Sequence, residues 1–284
     1  MPRSPGIVTT RRPGMRLGRP ASAVRRRTDS NMQPGPFLEA ALAAADAAEA
    51  VIRRHYRQQL DVQIKADNSP VTEADVGAER AIRELLSARF PDHGFYGEET
   101  GRERADAPYL WLVDPIDGTK SFVRGYPFFS TQIALMHEGR IIAAVSNAPA
   151  FGERAWAEAG GGAWLDGRQI RVSATDTIEA ATLSTGNLRT LAEGPGWQNF
   201  GGLVARVNRI RGYGDFYHYH LLAAGCIDAV LESDVNILDI AALTLIVEEA
   251  GGRFTDLAGG PVTLDTTTVL ATNGPLHEPL QAAL

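Results

Sequence analysis

An apolar run at residues 109–113 breaks directly into Asp114-Pro115-Ile116-Asp117-Gly118-Thr119, and few architectures accommodate that junction. Such a run reads as a buried strand that opens into a loop at its carboxyl end, a favoured place for chemistry in sheets covered by helices. Pro115 stiffens the turn, and two carboxylates three residues apart can address neighbouring metals. Gly118 and Thr119 offer backbone N–H groups to a phosphate where a following helix begins.

The surrounding pattern alternates. Phe37, Leu38, Ala41, Ala44, Ala45, Ala48, Val51 and Ile52 have helical spacing, and a second helix is predicted over 73–90 after the start signal Ser69-Pro70-Val71-Thr72. Two helices are thus expected before the first strand. Apolar runs at 130–136 and 141–147 flank the hairpin signal His137-Glu138-Gly139-Arg140, and further strand-like pieces surround Gly160-Gly161-Gly162 and Asp166-Gly167. The last third reads as a strand near Thr182, helices near Val204 and over 216–224, a strand at 229–232, a helix at 240–249 and a strand at 269–272. The fold class expected is layered α/β with mixed sheets, residues 34–284 forming one domain of two sub-lobes, about 34–180 and 181–284.

The charge is uneven. The whole chain stands at -6, yet residues 1–31 hold eight arginines against one acid, Asp29, which leaves the remainder at -13. A basic tail with so few large apolar residues cannot bury enough surface to offset its ordering entropy, so residues 1–33 are expected to be disordered. A targeting peptide, a nucleic-acid contact, and an inert tail or early start with Met32 as the true beginning are alternatives for it. No aromatics interleave with the arginines, and no nucleic-acid partner is expected. A membrane role is not expected either, because no stretch reaches the ~20 uninterrupted apolar residues of a span. The single cysteine, Cys226, excludes an intrachain disulfide or a thiolate cluster and fits a reducing, cytoplasmic location; it is expected to be a small buried residue.

Acids mark the ends of predicted elements: Asp75 in an early helix, Glu98 and Glu99 after Gly97, Asp114 and Asp117, and Asp239 opening a helix. Each alone has a plainer reading as an exposed acid, a turn residue or a helix cap. Gathered together, such carboxylates would repel and take up protons, whereas magnesium would neutralise them and leave positions for water and phosphate oxygens.

Taken in order, Gly97-Glu98-Glu99, Asp114-Pro115-Ile116-Asp117-Gly118-Thr119, Asp239-Ile240-Ala241-Ala242 and Glu249-Ala250-Gly251-Gly252 resemble the inositol monophosphatase superfamily. Residues 69–75 and Ala271-Thr272-Asn273-Gly274 support the likeness, which runs from about Phe37 to the C-terminus. The resemblance implies an alternating α and β sandwich, a homodimer, and two to three magnesium ions between carboxylates and a small phosphate monoester. It implies Glu98, Asp114, the Ile116 carbonyl, Asp117 and Asp239 as metal ligands. It implies Asp75 and Thr119 as the pair that orients and deprotonates the attacking water, with Gly118 and Thr119 holding a phosphate oxygen. Leu238 departs from the aromatic residue that many members carry before the aspartate.

For the substrate, Arg211-Gly212-Tyr213-Gly214-Asp215-Phe216 resembles the histidinol-phosphate branch, where an added carboxylate at Asp215, with Glu232 near it, would pair a cationic alcohol. Inositol-1-phosphate or a related sugar phosphate is the alternative substrate, and a non-catalytic phosphate-binding regulator the minor one. Asp215 as a helix cap and Glu232 as a surface acid are the plainer readings. His218 and His220, one residue apart on a predicted helix, point to different faces and make a poor metal pair.

Overall fold

Alanines at helical spacing let helix α1 (Pro36–His55) lie close against its neighbours, with Leu38, Ala41, Ala45, Ala48 and Ile52 on the buried face and Pro36 preset for the first turn. The computed structural model describes residues 33–58, 62–64, 70–194 and 196–284, so most of the arginine-rich tail and Ser69 lie outside it. An antiparallel hairpin of β1 (Val62–Ile64) and β2 (Pro70–Thr72) follows α1, which corrects the expectation of two helices before any strand. Strands of three residues carry too few alternations to register as a period. Thr72 then caps α2 (Glu73–Arg89): its hydroxyl accepts from Ala74 N at 3.1 Å, and its own N–H donates to the Asp75 carboxylate at 2.8 Å.

The larger sheet contains β3 (Gly94–Gly97), β4 (Gly101–Glu103), β5 (Tyr109–Asp117), β6 (Ser130–His137), β7 (Arg140–Ala148), β8 (Glu153–Glu158), β9 (Ala163–Leu165) and β10 (Arg168–Ile170). The short helix α3 (Thr119–Val123) sits between β5 and β6. Spatial order is β10-β9-β8-β7-β6-β5-β3-β4, antiparallel except where β3 runs parallel to β5. The predicted β6–β7 hairpin closes through Glu138 (φ 49°) and Gly139 (φ 78°), the left-handed pair that a tight two-residue turn requires.

The smaller sheet is built from β11 (Thr182–Thr185), β12 (Arg209–Arg211), β13 (Ala229–Ser233), β14 (Arg253–Thr255) and β15 (Thr268–Thr272) in the order β12-β11-β13-β15-β14. Its helices are α4 (Leu188–Glu193), α5 (Trp197–Arg206), α6 (Tyr217–Ala223), α7 (Ile237–Glu249) and α8 (His277–Gln281). Strand β11 is parallel to both neighbours and the other pairings are antiparallel, so both sheets are mixed.

Period-two alternation along β5 and β6 explains the layering. Trp111, Val113, Ile133 and Leu135 pack with α1 and α2, while Leu110, Leu112 and Ala134 pack with α6 and α7. The same central core takes in Val230, Val269 and Ala271 from the smaller sheet, whose other face carries Leu183, Leu231 and Leu270 against α4, α5 and α8. The chain therefore has a layered α/β fold, helices alternating with sheets. Helix α7, sandwiched between the two sheets, is apolar nearly all round and buries every residue from Ile240 to Val247. Cys226 does not follow its expectation: it is exposed in the turn after α6, where the chain leaves the core. No helix among the described residues is long and apolar enough to cross a membrane.

Candidate active site

Residues three apart on a regular strand face opposite sides of the sheet. Strand β5 does not end at Val113 but continues to Asp117, and its register against β6 slips: Asp114 lies opposite Gln132 and Asp117 opposite Ser130. The one extra residue on β5 is a bulge, which turns the Asp114 and Asp117 carboxylates toward the same side. Asp114 Oδ1 accepts from Ile116 N at 2.9 Å, and Thr119 Oγ1 lies 3.0 Å from the Ile116 carbonyl oxygen, one of two acceptors within reach of its single proton. Gly118 leads from the bulge into α3 with φ 86°, and a Cβ there would sit 2.6 Å from the Phe128 carbonyl oxygen. Only glycine fits both demands.

Asp239 joins this pair from the first turn of α7, and one carboxylate oxygen from each of Asp114, Asp117 and Asp239 lies within 4.8 Å of the other two. It also serves as a cap partner, accepting from Asn236 N at 3.0 Å and Asn236 Nδ2 at 2.8 Å. The capping role and the cluster are thus compatible. Burial, then the charges of Glu98, Asp117 and Asp239, push the Asp114 carboxyl well above the ordinary carboxylate range. Burial and the charges of Asp215, Asp239 and Glu232 do the same to Asp117. Burial raises Asp239 to about 7 despite the Asn236 hydrogen bond. Such a cluster holds extra protons until a cation replaces them.

Two residues flank the cluster on the α2 side. Asp75 Oδ2 accepts from Thr72 N and, at 2.6 Å, from Thr72 Oγ1, while Oδ1 faces Thr119 Oγ1 at 3.2 Å. Burial lifts the Asp75 pKa, the Thr72 bonds opposing it. Glu98 follows β3, its N–H bonded to the Val113 carbonyl at 3.2 Å. The loop beyond it is pinned from beneath by Glu79, fully buried in α2, which accepts from Glu99 N at 2.7 Å and Thr100 N at 2.9 Å. Glu79 escaped sequence reasoning. The available signal was its spacing, four residues after Asp75 and so on the same helix face.

The opposite wall belongs to the smaller sheet. A cleft of about 420 Å³ is lined by Asp117, Lys120, Asp215, Tyr219, Glu232 and Asp239, among others. A larger cleft of about 550 Å³ runs along α1 and α2 past Arg54 and Arg80 but holds none of the clustered acids, so chemistry rather than volume locates the site. Asp215 does not cap α6: the helix begins at Tyr217, its cap residue Phe216 makes no side-chain cap bond, and Asp215 sits in a turn with φ 45°. Burial and the Glu232 charge raise Asp215 to about 6, with His218 and Lys120 acting against them. Glu232 is likewise no surface acid, only 8% exposed on β13 with Tyr219 OH bonded to its Oε2 at 2.5 Å. His218 and His220 diverge as expected, the first toward Glu232 and the second between Glu153 at 2.7 Å and Ser146 at 2.8 Å.

Comparison with known proteins agrees with this geometry. The family model described as the inositol monophosphatase family matches residues 33–284. A histidinol-phosphatase of Mycobacterium tuberculosis is 41% identical over 249 residues, covering 85% of this chain and 95% of that protein. A histidinol-phosphatase of Chlorobaculum parvum is 36% identical over 250 residues, with 88% and 96% covered. Among solved structures, an inositol monophosphatase from Zymomonas mobilis superposes with a TM-score of 0.78 at 35% identity, covering 87% of this chain and 96% of that one. The layered sheets thus superpose on a solved inositol monophosphatase, and the chain belongs to the inositol monophosphatase family.

Proposed function

We propose that the chain hydrolyses L-histidinol phosphate to L-histidinol and phosphate, with magnesium held by Glu98, Asp114, the Ile116 carbonyl, Asp117 and Asp239. The family is metal-dependent, and a set of carboxylate and carbonyl oxygens fits a hard divalent cation better than zinc. Bound there, two to three such ions would neutralise the clustered carboxylates, draw charge from the phosphate and make water a usable nucleophile near neutral pH. The remaining work is positional. With Oδ2 of Asp75 occupied by Thr72, Oδ1 is left to Thr119, so a water beside Thr119 can pass its proton through that hydroxyl to Asp75. N–H groups of Gly118 and Thr119 at the start of α3 hold a phosphate oxygen. Attack is direct, with no covalent enzyme intermediate.

One observation carries the substrate: Asp215 and Glu232 share the cleft wall, close enough that Glu232 is the leading charge raising Asp215. An ammonium and an imidazole on the alcohol half of the substrate relieve that repulsion. Inositol-1-phosphate is the second reading, favoured by the likeness to the Zymomonas mobilis structure; its uncharged ring gains little from the acid pair. A homodimer acting in the cytoplasm is the expected setting, and light scattering checks the former.

The deciding experiment measures phosphate release from L-histidinol phosphate and inositol-1-phosphate at matched concentrations, with magnesium and with EDTA. A kcat/KM about tenfold higher for histidinol phosphate, ~1.4 kcal/mol of discrimination, supports the assignment. The reverse preference makes the enzyme an inositol or sugar phosphatase, and tight phosphate binding without turnover points to a regulator.

A further inference from the structure

His218 is fully buried, takes no part in the chemistry above, and sits 3.1 Å from Glu232 and within electrostatic reach of Asp215. Its ring nitrogens have distinct surroundings. Nδ1 is 3.2 Å from Ser184 Oγ, on β11, and that same oxygen accepts from Tyr213 N at 3.1 Å. A backbone amide can only donate, so Tyr213 takes one lone pair of Ser184 Oγ and leaves the hydroxyl proton free to be given to Nδ1. With Ser184 as the donor, Nδ1 is the acceptor and the ring N–H is on Nε2. Nε2 faces Glu232 Oε2 at 3.1 Å but off the line of a good hydrogen bond, and has no aligned partner.

We infer that His218 is a positioning residue for substrate recognition. It is the middle of a chain from Tyr213 N–H through Ser184 and the imidazole to Glu232, so it orients one acid and ties it to the loop that carries the other, Asp215. Tyr219 OH draws Glu232 Oε2 toward the protein, where His218 Nε2 lies 3.1 Å from the same oxygen, and Oε1 is left beside Gly186 on the cleft wall. Gly186 fits this arrangement, because a Cβ there would overlap the Glu232 carboxylate. An unaligned buried N–H is costly, and a small turn of the Glu232 carboxylate toward a bound cation can bring it into line. The inference rests on the histidinol-phosphate reading for its kinetic readout alone.

Two measurements therefore test it separately. In long-range ¹H–¹⁵N spectra of the wild-type protein with magnesium, the neutral His218 ring is expected as the Nε2–H tautomer. The Nδ1–H form, or rapid exchange of both, overturns the chain whatever the substrate. Kinetically, H218F should raise KM for L-histidinol phosphate roughly 5- to 20-fold, the loss expected for a hydrogen bond to a charged group, with kcat within about twofold. KM for inositol-1-phosphate should stay unchanged. H218Q, whose amide can reach the Nε2 position, should restore most of the loss, and S184A should shift KM in the same direction by less. Equal changes on both substrates, or no rescue by H218Q, overturn the positioning role. Absence of a wild-type preference sinks the substrate assignment instead, and the tautomer then decides the inference.

Discussion

The two walls of the cleft face the same electrostatic difficulty and resolve it with different materials. On one side Asp114, Asp117 and Asp239 are fixed by a strand bulge and a capped helix start, so their geometry is set by backbone. On the other, Asp215 sits on a left-handed turn and Glu232 is held by the Tyr219 hydroxyl, with the His218 ring 3.1 Å away. Both clusters hold carboxyls raised by burial and by each other. On the function proposed above, each is a site for positive charge, one for metal and one for the substrate's cationic end. A backbone-built cluster suits a step common to every phosphate ester, while a side-chain-built cluster can change with the alcohol without disturbing the first.

The largest effect should come from breaking the backbone-built wall. Asp114→Asn keeps an oxygen to accept the Ile116 N–H but removes a charge from the cluster. Turnover at saturating magnesium should fall roughly 100-fold or more for both substrates, with the fold unchanged by circular dichroism. Undiminished turnover would remove Asp114 from the metal site.

The same division explains what could be read from sequence. Backbone-built features leave local marks: an apolar run meeting Asp-Pro-Ile-Asp-Gly-Thr, Glu-Gly between two strands, alanines at helical spacing. From these the layered fold and the clustering of Asp114, Asp117 and Asp239 were accessible. The bulge was not, because a slip of register is a relation between β5 and β6 that neither segment states alone. Glu79 went unnoticed and His218 was read only as a core or surface histidine for a related reason: their partners, Glu99 and Thr100 for one and Ser184 and Glu232 for the other, are 14 to 34 residues away and meet only when the sheets assemble. Cys226 was misjudged because its type says buried while its place in the turn after α6 says otherwise.

Altering the other wall should separate substrates instead of abolishing turnover. Asp215→Ala should raise KM for L-histidinol phosphate about tenfold and leave kcat and the inositol-1-phosphate KM nearly unchanged. Matching losses on both substrates would mean that Asp215 shapes the cleft and does not recognise a cation.

A smaller effect sharpens the boundary of the backbone-built wall. Glu79→Gln leaves one carbonyl oxygen where two carboxylate oxygens accepted Glu99 N and Thr100 N. The loop after Glu98 should loosen, raising the magnesium concentration for half-maximal rate about 3- to 5-fold while KM at saturating magnesium holds. An unchanged magnesium requirement would show that Glu98 is placed without Glu79.

The mildest test uses pH. An acid whose folded pKa is raised destabilises the native state once it ionises, so its favourable contribution is present below the unfolded value of 3.8 and is lost as pH rises toward the folded value, about 6 for Asp215 and about 7 for Asp239. In EDTA, the melting temperature should therefore decline between about pH 4 and pH 7, at about 2–4 °C per kcal/mol lost for a chain of this size. Magnesium should flatten the part of that slope owed to Asp114, Asp117 and Asp239, and a cationic alcohol such as L-histidinol the part owed to Asp215. If magnesium alone removed the whole slope, the two clusters would behave as one site, and the separation of metal wall from substrate wall would fail.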